Sequence, residues 1–177
     1  MTLKFLGAAA LVATTALALD NGLAQVPQMG WNTWNKFGCD ISEDLIKQAV
    51  DRVVELGLDK LGYTYVNLDD CWMAEERTAD GHFIVDEKAF PKGMKDLGDY
   101  IHEQGLKFGI YSCGGTMTCA GRAGSLYYEE IDAQDWASWG VDYLKYDNCY
   151  NDNVPGVVRY AAMRDALLST GRDIFFS

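Results

Sequence analysis

Histidine is almost missing from this chain, with two residues in 177, His82 and His102. One falls in a stretch read as loop and the other on an amphipathic helix, so no imidazole is placed to act as the base of a Ser-His-Asp hydrolase. The five cysteines, Cys39, Cys71, Cys113, Cys119 and Cys149, are separated by 32, 42, 6 and 30 residues, which fits no compact zinc pattern; with so few histidines, no metal site is expected. No Gly-x-Gly-x-x-Gly turn follows the first strand-like run, so the dinucleotide fingerprint is absent and nothing calls for a cofactor. Basic residues number 15 against 26 acids, giving a net charge of −11 and a pI near 4.5. Such a surface repels phosphate backbones and argues against a nucleic-acid partner. There is no Asn-x-Ser/Thr acceptor for N-glycosylation. What is left is ordinary globular composition, 49% hydrophobic and 23% charged, without a disorder or collagen signature.

The first eighteen residues read as a separate unit. Lys4 supplies a positive n-region, Leu6 to Leu17 is an uninterrupted apolar and small stretch, and Ala16-Leu17-Ala18 gives a small-x-small cleavage pattern. This is the pattern of a secretory signal peptide, and the run is too short for a permanent anchor. No later run approaches membrane-spanning length, so residues 19–177 are expected to be a secreted chain without a membrane partner. Losing the leader removes Lys4 and no acid, which takes the net charge to −12. In an oxidising compartment most cysteines pair, and an odd count leaves one over.

Apolar strand-like runs recur at a period of roughly 30 to 45 residues: Gln28-Trp31, Tyr63-Leu68, Lys107-Tyr111, Val141-Tyr146 and Asp173-Phe176. Helical patterns lie between them. From Glu43 to Leu56, the residues Leu45, Ile46, Ala49, Val50, Val53 and Val54 keep helical spacing, with Ser42 to cap the start and Gly57 after the end. Further helices are expected over about Met94 to Gln104, about Asp132 to Trp139, and from Pro155 to Thr170, each followed by glycine. Strand, helix, glycine and strand, four times over, predict a parallel sheet covered by helices. Polar residues gather at the C-terminal ends of the strands: Trp31-Asn32-Trp34, Asp69-Asp70, Tyr111 and Lys145-Asp147. That placement favours a (β/α)8 barrel over a doubly wound sheet. A barrel takes about 250 residues, so the expected content here is its first four βα units and fifth strand. Open edge strands would make such a half barrel fold poorly by itself.

The chemistry-bearing residues sit at those strand ends. In Tyr143-Leu144-Lys145-Tyr146-Asp147-Asn148-Cys149 an apolar strand stops at an aspartate, and alternation puts Lys145 and Asp147 on one face. An ammonium beside Asp147 would favour its ionised form, as an anionic nucleophile or a hydroxyl acceptor requires. A plain strand-end ion pair is the simpler alternative. Asp69 and Asp70 repel one another unless hydroxyls or a cation such as calcium compensate, and sugar hydroxyls do so well. Trp31, Trp34, Trp72 and Tyr111 offer faces for stacking on a pyranose, although some are plain core, Trp31 more readily than Trp34. Trp136 and Trp139 share a helix face and are read as packing residues.

Met29-Gly30-Trp31-Asn32-Thr33-Trp34-Asn35, Leu68-Asp69-Asp70-Cys71-Trp72, Gly109-Ile110-Tyr111, Thr118-Cys119-Ala120-Gly121, Glu129-Glu130-Ile131-Asp132-Ala133-Gln134 and Tyr143 to Cys149 together resemble the α-galactosidases of glycoside hydrolase family 27, most of all their secreted fungal members. The resemblance runs over essentially all of residues 19–177. It implies a retaining glycosidase that releases terminal α-linked galactose through a covalent aspartyl intermediate, with Asp147 as nucleophile. The acid/base is implied to follow a later strand, beyond residue 177, so the chain would be the amino-terminal half of a catalytic domain and inactive alone. The resemblance further implies that Asp69 and Asp70 bind the 4- and 6-hydroxyls, that Lys145 contacts the 3- and 4-hydroxyls, that Trp34 is the aromatic platform and that Tyr111 lines the site. It also implies disulfides Cys39–Cys71 and Cys119–Cys149, the latter walling the sugar pocket. Cys113 stands where family members more often carry a small or polar residue, and becomes the free thiol.

Three other readings remain open at the level of sequence: an α-N-acetylgalactosaminidase of the same family, a non-catalytic galactose-binding barrel, and a calcium-dependent scaffold. A homo-oligomer is also compatible with the sequence.

Overall fold

The structure, a computed structural model, describes residue 19 and residues 21–177. The expected leader, residues 1–18, lies outside the described residues. The chain forms β1 (Gly30–Asn32), α1 (Trp34–Phe37), α2 (Glu43–Glu55), a 3-10 turn (Asp59–Leu61), β2 (Tyr65–Asn67), β3 (Met73–Arg77), β4 (Phe83–Val85), α3 (Gly93–Glu103), β5 (Lys107–Cys113), α4 (Glu129–Ser138), β6 (Tyr143–Asp147), α5 (Gly156–Ser169) and β7 (Phe175–Phe176).

Five strands make one all-parallel sheet in chain order, β1-β2-β5-β6-β7. Successive strands of this sheet are neighbours in space, and every crossover carries a helix, α5 leading to the short β7. This is the leading part of a (β/α)8 barrel, as the recurring strand–helix pattern foretold. The register Gly30↔Tyr65, Tyr65↔Lys107, Gly109↔Tyr143 and Tyr143↔Phe175 places every second residue of each strand on a common inner face. On that face Tyr65, Tyr143 and Phe175 pack edge to face or tilted, 5.2–6.2 Å between centroids. The inner face is tight at Gly109, where a Cβ would overlap the Asn67 side chain. Val66, Phe108, Ile110 and Leu144 point the other way, into the helices.

Each helix forms for legible reasons. Ser42 Oγ accepts the Leu45 N–H, Glu43 and Asp44 occupy the first turn, and Ile46, Val50 and Val53 are buried. Each such apolar side chain is worth about 1.5–3 kcal/mol on burial. Met94, Leu97 and Ile101 of α3, Ala133 and Trp136 of α4, and Met163, Ala166 and Leu167 of α5 join the same core. α4 begins at Glu129 rather than at Asp132, because Glu129, Glu130 and Asp132 suit the positive end of its dipole.

One element was not anticipated. β3 and β4 form an antiparallel hairpin outside the main sheet. Its central residues Glu75 and Glu76 are exposed, so an apolar run never marks it. The Asp80-Gly81 turn, with Gly81 at φ +95, is the local signal that it did carry. Arg77 clamps the hairpin to α4: its guanidinium lies between the rings of Phe83 and Tyr128 and holds the Asp132 carboxylate at 2.6 and 2.8 Å. Among the described residues, no helix is long and apolar enough to cross a membrane.

Candidate active site

β6 ends on Asp147, one residue later than expected, and its alternation carries Tyr143, Lys145 and Asp147 on the inner face. β5 likewise extends to Cys113 and pairs Tyr111 with Lys145 and Cys113 with Asp147. Parallel strands in register therefore bring Asn32, Asp69, Tyr111, Lys145 and Asp147 together at one end of the sheet, although they span more than a hundred positions in sequence.

Asp69 and Asp70 are both 1% exposed. Asp69 Oδ2 accepts from Lys145 Nζ at 2.8 Å and from Asn32 Nδ2 at 2.8 Å, and its Oδ1 accepts the Asp70 N–H at 2.9 Å. Asp70 Oδ1 accepts the Cys71 N–H at 2.7 Å and the Thr118 hydroxyl at 2.9 Å, while its Oδ2 accepts the Ala120 N–H at 2.9 Å. A carboxylate has about four acceptor positions, so three donors leave about one free on each. The mutual repulsion of the two acids is thus met by one ammonium and a set of N–H and O–H donors. Those donors face the carboxylates where a calcium ion would need free lone pairs, so the pair does not fit a cation site. Cys71 takes φ +76 without being glycine. Strain of this kind costs about 1–3 kcal/mol and is held here by the Asp70 side chain and by the Cys39–Cys71 disulfide.

Lys145 corrects one expectation. Period-two alternation sets its ammonium beside Asp147, but its ion pair is with Asp69, and it lies 4.9 Å from the centre of the Tyr111 ring. What Asp147 receives instead is the Tyr111 hydroxyl on Oδ2 at 3.3 Å and the Asn148 N–H on Oδ1 at 2.8 Å. Tyr111 is 1% exposed. Burial, reinforced by the Asp70 charge, pushes its pKa far up, so the phenol stays protonated and remains a donor.

The second disulfide, Cys119–Cys149, closes over this end of the sheet. A carboxylate oxygen of Asp147 and both sulfurs lie within 4.8 Å of one another. Joined sulfurs offer no thiolate, so the group is a wall beside the carboxylate and not a metal site. Cys113 is free and buried; its thiol donates to Cys149 O at 3.2 Å and accepts the Cys149 N–H at 3.0 Å, and burial raises its pKa.

The aromatic residues separate. Trp34 begins α1 and is 39% exposed, with its N–H held by Asn32 Oδ1 at 2.8 Å. Trp31 packs edge-on against Phe37. Trp72 is fully buried against Phe83 and Trp139, and its indole N–H donates to Tyr111 O at 2.8 Å. A pyranose cannot reach it, so the expected stacking face at Trp72 is instead core that supports Tyr111. Trp136 is also fully buried, as packing predicted. His82 pairs with Asp135 and His102 with Asp142, the latter at the far end of β6 from Asp147.

Asn32 and Thr118 carry no sequence signal for the roles they take in the site. Asn32 ties Trp34 to Asp69 through its two amide atoms. Thr118 reaches Asp70 across 48 positions of sequence, which no local pattern shows. The arrangement can place a small polyhydroxylated ring against two carboxylates and an ammonium, with Asp147 beyond them and one aromatic face open to solvent.

Comparison with known proteins fits this chemistry. Residues 26–177 match the family described as alpha galactosidase A. An alpha-galactosidase of Cyamopsis tetragonoloba is 54% identical over 159 residues, covering 89% of this chain and 39% of the relative. Alpha-galactosidase I from Mortierella vinacea superposes with a TM-score of 0.85 at 53% identity, over 88% of this chain and 40% of that one. The alpha-galactosidase from Saccharomyces cerevisiae with raffinose gives a TM-score of 0.85 at 50% identity, over 88% of this chain and 35% of that one. The chain thus spans well under half the length of these relatives.

Proposed function

Because the chain belongs to the alpha galactosidase A family, we propose that it is the amino-terminal half of the catalytic domain of a retaining α-galactosidase, over residues 19–177, and that residues 1–18 are a leader directing it to secretion. Asp147 attacks the anomeric carbon of a terminal α-linked galactose and forms a covalent glycosyl-enzyme. A second carboxylic acid, placed beyond residue 177, protonates the leaving oxygen and then activates water. Retaining enzymes hold the two carboxyls about 5–5.5 Å apart.

The observation that carries this reading is the convergence of Asp69, Asp70, Lys145 and Asp147 at adjoining strand ends. The acceptor position left on each of Asp69 and Asp70 takes a galactose hydroxyl, and Lys145 donates to a neighbouring one. Galactose differs from glucose in its axial 4-hydroxyl. Buried carboxylates aimed at that group would go unpaired with a glucoside, which is a strong basis for rejection. Trp34 stacks on the apolar face of the ring, while Tyr111 keeps Asp147 oriented. Cys119–Cys149 closes the pocket wall. Raffinose, an α-galactoside, is the sugar in the Saccharomyces cerevisiae structure and suits this pocket as a substrate class.

The test is Asp147→Asn in the full-length protein. Turnover of an aryl α-galactoside is expected to vanish while the circular dichroism spectrum is retained. A fluorinated galactosyl fluoride is expected to label Asp147 of the parent enzyme, seen by peptide mass spectrometry. Near-normal turnover by the variant, or a label on a different residue, would refute the assignment.

A further inference from the structure

Arg159 on α5 is 2% exposed, yet no carboxylate stands beside it among its described partners. Its Nη1 donates to Gly114 O at 2.5 Å, its Nη2 to Asn148 Oδ1 at 2.6 Å and its Nε to Val154 O at 2.8 Å. A buried cation met by neutral oxygens and by the Tyr160 ring at 5.8 Å is costly to keep, and packing alone would be served by a methionine. What the three acceptors share is their position. Gly114 directly follows β5, Asn148 directly follows Asp147, and Val154 closes the loop that begins there. The guanidinium therefore ties the tips of two adjacent strands to the helix behind them.

Both remaining links lead to Asp147. The Gly114 N–H donates to Asp147 O at 2.9 Å, so the residue whose carbonyl Arg159 grips also holds the backbone of Asp147. The Asn148 N–H donates to Asp147 Oδ1 at 2.8 Å, so the residue whose side chain Arg159 holds also aims that carboxylate. Gly114 fits the same account, because a Cβ there would come within 2.9 Å of the guanidinium. Beyond Asn148 the loop is strained: Tyr150, Asp152 and Asn153 all take positive φ without being glycine. The Cys119–Cys149 disulfide and the Cys113 thiol pin the loop at Cys149, and Arg159 holds it on either side at Asn148 and Val154.

We propose that Arg159 is a positioning residue for Asp147. It fixes Asp147 through the Asn148 side chain, whose own N–H holds the carboxylate, and through Gly114, whose N–H holds the Asp147 carbonyl. This rests on Asp147 being the nucleophile, and it adds a residue on a different element that sets how well the nucleophile is aimed. Attack needs the carboxylate oxygen on line with the anomeric carbon, and a misplacement of a fraction of an ångström lowers the chemical rate more than it lowers substrate binding.

The experiment uses the full-length protein with Arg159→Met, Arg159→Lys, Asn148→Ala and Asp147→Asn, each assayed well below its own melting temperature. For Arg159→Met, kcat and the rate of covalent labelling of Asp147 by a fluorinated galactosyl fluoride are expected to fall about 10- to 100-fold, with KM changed by less than about threefold. Arg159→Lys keeps the charge but not the fork, and is expected to recover part of the loss. Asn148→Ala takes one acceptor from the buried guanidinium, so it is expected to stay folded with a modestly lowered melting temperature while losing several-fold in labelling rate. Folded Arg159→Met and Asn148→Ala with parental kcat and labelling would reduce Arg159 to a loop brace. Should Arg159→Met not fold, parental labelling by Asn148→Ala overturns the proposal in the same way. If Asp147→Asn is inactive in that situation, only the positioning role is lost. An active Asp147→Asn sinks the nucleophile assignment and the positioning role together.

Discussion

Replacing Lys145 with methionine tests how the buried Asp69 is paired and aimed. The ammonium is 2.8 Å from Asp69 Oδ2, with side-chain exposures of 35% and 2% respectively. Removing one partner of a fully buried pair costs about 3–5 kcal/mol. Lys145 is more than a third exposed, so water screens part of that interaction and about 1–3 kcal/mol is expected in stability. Asp69 keeps the Asn32 amide and the Asp70 N–H, which limits the loss. Activity should suffer more. A charge-assisted hydrogen bond to a sugar hydroxyl is worth about 1.5–3 kcal/mol. With about 1 kcal/mol more for a misdirected Asp69, kcat/KM falls about a hundred- to thousandfold, at 1.4 kcal/mol per decade. Urea denaturation and hydrolysis of an aryl α-galactoside by the full-length protein measure the two losses. The double variant Lys145→Met, Asp69→Asn should lose less than the two single variants combined, because the second change removes the charge that the first left unpaired. A kcat/KM within threefold of the parent, or strictly additive losses, would refute the reasoning.

Two further expectations concern the hairpin clamp. Arg77→Met leaves the Asp132 carboxylate buried and unpaired, its side chain fully inaccessible, so the full-length protein should lose about 3–5 kcal/mol in denaturant unfolding, with much of it restored in Arg77→Met, Asp132→Leu; a loss under about 1 kcal/mol for the single variant contradicts the clamp. His82 has its pKa raised mainly by its hydrogen bond to Asp135, with smaller help from the charges of Asp80 and Asp132. Its folded value lies above the unfolded value near 6.5, so its contribution is fully present below that pH and is lost as pH rises through the folded value. Amide-exchange protection of residues 73–85 should therefore weaken with rising pH in the parent and change less in His82→Gln; identical pH dependence in both would count against it.

Much of this fold could be read from the chain because each βα unit is locally written. Ser42 and Gly57 bracket α2, the 3.6-residue spacing of Ile46, Val50 and Val53 marks its buried side, and the apolar runs of β2, β5 and β6 stand out because both faces of a barrel strand are covered. The hairpin escaped because its strands are short and its outer residues are Glu75 and Glu76. Trp72 escaped because a tryptophan just past a strand end reads alike whether it faces a pocket or, as here, the core beneath α4.

Sequence alone settled which residue types stand at each strand tip, since period-two alternation and chain order act over a few neighbours. It could not settle who pairs with whom across strands. Lys145 lies two positions from Asp147 and seventy-six from Asp69, yet its ammonium goes to Asp69. The register of β2, β5 and β6 decides this, because it puts a buried carboxylate with unspent acceptor positions within reach of the lysine. Thr118 and Ala120 meet Asp70 for the same reason: the β5–α4 loop folds back over the sheet, and only the folded chain brings those donors to an acid that must not be buried bare.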